Sequence, residues 1–144
     1  MGAKEFLLQS VRIREKLFYY KERIEKLETD LGYHPLQLDD SGASKASVTD
    51  KAGDKLAEIA DLEKEMVEKR IELEKKNEEI RSLIETLDNP TYRAVLSYRY
   101  IHENPRFPTR LNSWVTVAFK VGLANEDTAR ISHNRALRIL NKKM

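Results

Sequence analysis

The C-terminal part of this 144-residue chain places arginine, asparagine and aspartate side chains at spacings that fall on one face of a helix. Arginine can donate two hydrogen bonds to guanine O6 and N7, asparagine can bond adenine N6 and N7, and a carboxylate can accept from cytosine N4. These residue types in this pattern predict a surface that reads base edges in the major groove of DNA. The predicted base-reading residues are Asp127, Arg130, Asn134, Arg135 and Arg138, and Asn141 continues the same stripe.

A second group of basic residues is predicted to contact phosphate, which fixes register and salt dependence without reading sequence. Residues 90–144 hold ten Lys and Arg against three Asp and Glu, whereas residues 1–89 hold 16 against 21. This division of charge indicates that the C-terminal end meets a polyanion, although a solvated basic surface is the simpler alternative. The predicted phosphate-binding residues are Arg106, Arg110, Lys120, Lys142 and Lys143.

Other features of the same segment favour ordinary packing. An amphipathic helix with a solvated basic face would show the same arginine pattern, and this alternative stays open. Glu126 and Asp127 count against DNA because carboxylates repel phosphates. Trp114 lies on an i, i+3, i+4, i+7 stripe, which favours packing in a core over stacking on a base. His133, at the inward edge of the last helix, is predicted to pack there or to bond a carbonyl.

Two short helices joined by a tight turn are predicted to hold these side chains. Ser113 should cap the first helix, and Gly122 should end it in a left-handed conformation. Asn125 should cap the last helix, which runs to about Lys142. Helix, glycine-containing turn and helix form the helix-turn-helix layout, whose second helix enters the major groove. The inward stripe of the last helix is Ala129, Ala136, Leu137 and Leu140.

An earlier helix is predicted from about Thr91 to His102, with Asn89 as its cap and Pro90 in its first turn. A proline-containing loop over residues 102–112 then leads to Ser113. These elements predict a small three-helix domain over residues 89–144.

Upstream, residues 3–31 show an apolar seam whose steps alternate between three and four, the heptad pattern of a long helix. Residues 32–48, rich in Gly, Ser and Asp and containing a proline, are predicted to form a flexible loop that lets the chain reverse. A second long helix should run from about residue 47 to residue 88. The seam residues are Ala3, Phe6, Ser10, Ile13, Leu17, Tyr20, Ile24, Leu27 and Leu31, then Leu56, Ile59, Leu62, Met66, Leu73, Ile80, Leu83 and Leu87.

The predicted fold is therefore all-α: a long N-terminal helical hairpin or coiled coil over residues 1–88, followed by the helix-turn-helix domain. If the first helix folds back along the second, about ten residues at the end of the second stay uncovered. Ile80, Leu83, Ile84 and Leu87 lie there, and we expect the C-terminal domain or another chain to cover them. A homodimer or higher homo-oligomer is expected, with the coil pairing either within or between chains.

Composition disfavours several other classes of protein. Without cysteine there are no disulfides or thiolate zinc sites, and the three histidines lack partners at metal-ligand spacing. No glycine-rich phosphate loop or nucleophile elbow is present, so we expect no enzyme, no catalytic residue and no cofactor. No stretch approaches about 18 consecutive apolar residues, and the N-terminus does not resemble a signal peptide. We therefore expect no membrane partner and a cytoplasmic location.

Three stretches carry a resemblance to a known family: "NPTYRAVLSYRYI", "SWVTVAFKVGL" and "TARISHNRALRIL". They are similar to the C-terminal module of phage-encoded regulators related to sigma-factor region four, the ArpU/RinA-like activators of phage late genes. The N-terminal coil and "DLEKEM" segment resemble that family too, so the similarity extends over nearly the whole chain. The matching positions are Tyr92, Arg93, Arg99, Tyr100, Ile101, Ser113, Trp114, Val117, Ala118, Val121, Gly122, Thr128, Ile131, His133, Ala136, Leu137 and Leu140.

The resemblance implies sequence-specific binding of double-stranded DNA near a phage promoter and control of late or packaging genes in a bacterial host, where RNA polymerase is a further partner to test. Two other functions fit the same pattern. A phage terminase small subunit also joins a helix-turn-helix to helical oligomerisation elements. A coiled-coil adaptor would bind RNA polymerase or another protein without reading DNA.

Overall fold

The computed structural model describes residues 1–38 and 42–144, with side chains described for residues 1–32 and 51–144. All regular structure in these ranges is helical, which confirms the predicted all-α class of two long helices followed by smaller ones. The elements are α1 (Ala3–Leu38), α2 (Gly42–Glu85), α3 (Pro90–Leu96), a π-helical turn (Ser97–Ile101), α4 (Trp114–Val121) and α5 (Glu126–Lys143).

The interruption between the two long helices is shorter than predicted. Helix α1 continues to Leu38 and α2 begins at Gly42, so the loop predicted over residues 32–48 is wrong in its extent. Gly, Ser and Asp in this segment disfavour a helix, but Ala43, Lys45 and Ala46 are good helix formers and offset them. Residues 39–41, the rest of that loop, lie outside the described residues.

One compact unit comprises Lys16–Arg70. Here α1 and α2 run antiparallel, joined by Arg23 and Glu58 at 3.0 Å and by Lys55 and Asp30 at 4.0 Å. The seam prediction is wrong at Leu56, which is 58% exposed, whereas the neighbouring Lys55 is half-buried and turned towards α1, where it pairs with Asp30. Elsewhere in this unit the seam is confirmed, with Ile24, Leu27, Ile59 and Met66 buried and Leu17, Tyr20, Leu31 and Leu62 packed around them.

A second compact unit comprises Met1–Glu15 and Ile71–Met144. Its limits differ from the predicted division at residue 88, because the start of α1 and the end of α2 share a core with the C-terminal helices. The apolar patch at the end of α2 is thereby covered by the C-terminal helices, as predicted, and also by α1. The buried members of this core are Ala3, Leu7, Ile80, Ile84, Leu87, Leu96, Tyr100, Ala136 and Leu140.

Local capping interactions set the ends of α4 and α5 where the sequence predicts them. Ser113 Oγ accepts from the Thr116 N–H at 3.2 Å, and Asn125 Oδ1 accepts from the Thr128 N–H at 2.9 Å. Gly122 ends α4 with φ 85° and ψ 30°, a left-handed conformation that costs glycine little. Val95 of α3, Val117 and Ala118 of α4 and Ala129 of α5 form a small core between these three helices.

Helix α3 is tied to the end of α2. Asn89 Oδ1 accepts from the Thr91 N–H at 2.8 Å, and the Arg93 guanidinium donates to the carbonyls of Leu87 and Asp88. The predicted helix over residues 91–102 is present, but its second half widens into the π-helical turn. The His102 N–H donates to the Ser97 carbonyl across that turn at 3.0 Å.

Candidate nucleic-acid interface

Helix α5 buries one face against α3 and α4 and exposes the other. The predicted inward stripe is confirmed, with Ala129, Ala136 and Leu140 buried and Leu137 partly buried. Acidic residues lie in its first turn and lysines in its last, an order that suits the helix dipole. The outward face carries all five residues predicted to read bases, each of them exposed: Asp127, Arg130, Asn134, Arg135 and Arg138.

Two of these five residues are paired with each other. The Arg130 guanidinium contacts Asp127 at 2.8 Å and Glu126 at 3.6 Å. A half-exposed ion pair of this kind contributes only about 0–1 kcal/mol. DNA can therefore compete for Arg130 at small cost, and Asp127 is presented beside a guanidinium that offsets its repulsion of phosphate.

The other two arginines of this face are Arg135 and Arg138. Within the described part of the chain, neither Arg135 nor Arg138 takes part in an ion pair. Their positions, three residues apart on an exposed helical face, leave both guanidinium groups available to a ligand. They are the residues of α5 best suited to donate to guanine or to phosphate.

The five residues predicted to bind phosphate are all exposed, but they are not equivalent. Lys120 lies in the last turn of α4, and Lys142 near the end of α5. Lys143 donates to the Thr86 carbonyl, so its ammonium group anchors α5 to the segment after α2. Phosphate binding by Lys143 would require that hydrogen bond to break.

Arg106 and Arg110 lie in the long loop before α4, and both contact the Phe107 ring. Their guanidinium carbons are 5.4 and 4.7 Å from the Phe107 ring centroid. Asn104 Oδ1 accepts from the Arg106 and Phe107 N–H groups, both at 3.0 Å, which forms a tight local turn. This turn and the ring hold the two arginines near each other before any ligand arrives.

The loop is also fixed at its far end. The buried Asn112 side chain donates to the carbonyls of Tyr98 at 2.8 Å and His102 at 2.9 Å. Arg99 donates to the Asn112 carbonyl, and its guanidinium lies 4.1 Å from the Trp114 ring. Trp114 thus packs within the domain, as its spacing predicts, and does not offer its face for stacking on a base.

One residue of the predicted outward stripe has a different role. Asn141 Oδ1 accepts from the Ala3 N–H at 2.8 Å, so it caps the first turn of α1. The prediction that Asn141 extends the base-reading stripe does not account for this bond, because the partner lies 138 residues away in sequence.

A buried polar cluster behind α5 was not identified from sequence. The Tyr100 hydroxyl lies 2.7 Å from His133 Nε2, and Trp114 meets the imidazole edge-on with centroids 4.8 Å apart. Burial raises the pKa of Tyr100 to about 12 and lowers the pKa of His133, which Asn134 partly restores and Arg99 lowers further. His133 therefore packs inside the domain, which is one of the two predicted outcomes, and its Nε2 partner is a phenol and not a carbonyl. Its inward helical position was the only sequence signal.

A separate cleft lies in the same compact unit, away from the exposed face of α5. Its volume is about 720 Å³, and it is lined by residues of α2, α3, the π-helical turn and the loop after that turn, including Arg81, Glu85, Arg93 and Glu103. None of the ten predicted DNA-contacting residues lines it. Within the described ranges, no cluster of three or more potential ligands could hold a metal ion, and no helix is long and apolar enough to cross a bilayer.

Comparison with other proteins adds no information on the role of α5. No protein-family model matches this chain, and neither a curated protein nor a solved structure does.

Proposed function

We propose that this chain is a sequence-specific regulator of transcription that binds double-stranded DNA through α5. The observation that carries the proposal is the exposed face of α5, where Asn134, Arg135 and Arg138 follow one another on a helix whose other face is buried. The turn before α5 and the cap at Asn125 support the proposal, because helix-turn-helix proteins place a helix that follows such a turn in the major groove. Lys120 and Lys142 would bind the flanking phosphates.

The finer reading of this function follows the family resemblance. We propose an activator of phage late or packaging genes that acts in the cytoplasm of a bacterial host and contacts RNA polymerase. A homodimer would present two copies of α5 to half-sites about 34–36 Å apart. Light scattering of the full chain measures the number of chains, and a large ring would favour a terminase small subunit instead.

The test separates base contacts from phosphate contacts. DNA selected by the full chain from random oligonucleotides is titrated by fluorescence anisotropy at two salt concentrations. Arg138→Ala should reduce discrimination between the selected and a scrambled site by about 1–3 kcal/mol. Lys142→Ala should weaken both sites alike and reduce the salt slope by about 1.

The matched control is Lys64→Ala, which removes an exposed lysine from α2. It should leave affinity and discrimination unchanged. If the chain selects no sequence, and Arg138→Ala behaves like Lys64→Ala, the proposal is wrong.

A second candidate, the adaptor, is favoured by one observation. On α4, Val115 is 63% and Phe119 81% exposed, beside a hollow of about 340 Å³. Exposed apolar side chains in contact with a hollow are typical of surfaces that bind a protein. An adaptor should show no sequence-selective binding of DNA with or without Phe119→Ser, whereas a regulator that binds DNA through α5 should keep its selective binding in this variant. Anisotropy of the wild type and of Phe119→Ser therefore distinguishes the two roles.

A further inference from the structure

We infer that His133 is a positioning residue that fixes the side-chain amide of Asn134, so that Asn134 offers its NH₂ group to the major groove and selects guanine. The inference rests on the proposed function, because it concerns how the same face of α5 reads a base. The observation behind it is that the buried ring of His133 contacts the exposed side chain of Asn134, the next residue in the sequence.

The imidazole has a hydrogen-bond partner on each of its nitrogens. Nε2 lies 2.7 Å from the Tyr100 hydroxyl, and Nδ1 lies 3.2 Å from Asn134 Oδ1. A neutral imidazole has one N–H and one lone pair. In these contacts the Tyr100 O–H must donate to Nε2, and the Nδ1–H must donate to Oδ1. The other neutral tautomer would direct the Nδ1 lone pair at the lone pairs of Oδ1.

The residues around His133 favour the neutral imidazole and restrict its orientation. His133 is 4% exposed, the Tyr100 ring stacks on it at 5.6 Å, and the Trp114 ring meets its edge. Burial and the nearby Arg99 cation lower the pKa of His133, which disfavours the doubly protonated ring. The Nδ1–H of His133 therefore donates to Oδ1 from a ring that Tyr100 and Trp114 hold in one orientation.

This arrangement determines which part of Asn134 faces a duplex. Since Oδ1 and Nδ2 diverge from one carbon, an oxygen held towards His133 leaves the NH₂ group on the outer side. Guanine presents two acceptors in the major groove, O6 and N7, whereas paired contact with adenine needs an acceptor as well as a donor. The general asparagine rule predicts adenine at this position, but the His133 contact predicts guanine.

Two substitutions separate the two nitrogens of the ring. His133→Asn keeps an N–H close to the Nδ1 position, whereas His133→Gln places its amide near Nε2 and leaves Oδ1 without a donor. DNA selection with Asn134→Ala first identifies the base pair that Asn134 reads. At that base pair, His133→Gln should lose about fivefold or more of the preference for guanine, and His133→Asn should keep it.

A DNA-free measurement accompanies the selection. Nitrogen chemical shifts of the full chain labelled with ¹⁵N-histidine report the tautomer directly, and the Nδ1–H form is expected at pH 7.5. An Nε2–H tautomer would overturn the inference even if a variant failed to fold. If the wild type selects a sequence but His133→Gln keeps the preference that Asn134→Ala loses, the positioning role alone is wrong. If the wild type selects no sequence, the proposed function fails and this role fails with it.

Discussion

Replacing Arg14 with methionine should destabilise the chain even though it leaves the apolar core in place. Arg14 is only 9% exposed, and its guanidinium donates to the carbonyls of Tyr100 at 2.8 Å and Ile101 at 3.2 Å. These carbonyls end the π-helical turn, where the helix itself supplies no donors. Arg14 on α1 therefore satisfies backbone groups 86 and 87 residues away in sequence.

The magnitude follows from two opposing terms. A hydrogen bond to a charged group contributes about 1.5–3 kcal/mol, so the two together contribute about 3–6 kcal/mol. Burial of the guanidinium opposes this and lowers the pKa of Arg14, while Glu103 raises it. Methionine has a stem of similar length without that desolvation cost, which recovers part of the loss. We expect a net destabilisation of about 2–3 kcal/mol.

The assay is urea unfolding followed by far-UV circular dichroism at pH 7, extrapolated linearly to water. Arg12→Met is the matched control, because Arg12 is exposed on the same helix two residues earlier. The control should change the free energy of unfolding by less than about 0.5 kcal/mol. Equal stabilities for Arg14→Met and Arg12→Met would refute the assignment of Arg14 as a cap of the π-helical turn.

Three further predictions use the same unfolding assay. Tyr100→Phe should cost about 1–3 kcal/mol, because the buried Nε2 of His133 loses its donor; an unchanged midpoint would contradict this. Burial lowers the folded-state pKa values of His133 and His102, so the unfolded chain binds protons more readily. The free energy of unfolding should therefore be highest above pH 6.5, the ordinary histidine pKa, and should decrease as the pH falls below it. Equal unfolding midpoints at pH 7.5 and 5.5 would count against this. Gly122→Ala should cost about 1 kcal/mol at φ 85°, whereas Gly53→Ala in α2 should stabilise by up to that amount. The same sign for both substitutions would contradict the conformational argument.

The parts of this fold that sequence predicts are those set by neighbouring residues. Ser113, Gly122 and Asn125 act within three or four residues of their own positions, and each has the role expected of its type. The buried stripe of α5 follows from helical spacing alone, and so does the exposure of its arginines. A periodic pattern predicts which face of a helix is buried, but it predicts poorly where the helix ends. The loop between α1 and α2 was therefore predicted too long.

The parts that sequence did not predict depend on distant partners. Tyr100 and His133 are 33 residues apart, and nothing in either neighbourhood indicates that they meet. Asn141 has the residue type and spacing of a base reader, yet its oxygen caps α1. In both cases the helical face was predicted correctly, but the hydrogen-bond partner depends on how α1 and the π-helical turn pack against α5.

The small size of residues 89–144 explains why they form one compact unit with the start of α1 and the end of α2. A domain of about 60 residues buries only about 60% of its unfolded surface and is marginally stable. Leu96, Tyr100 and Leu140 complete their burial against Leu7 and Ile80 of the long helices. A fragment of residues 89–144 would expose that apolar surface and lose the anchors from α1. The helix proposed to read DNA is thus held in place by the start of α1 and the end of α2, so the predicted boundary at residue 88 separates α5 from residues that support it.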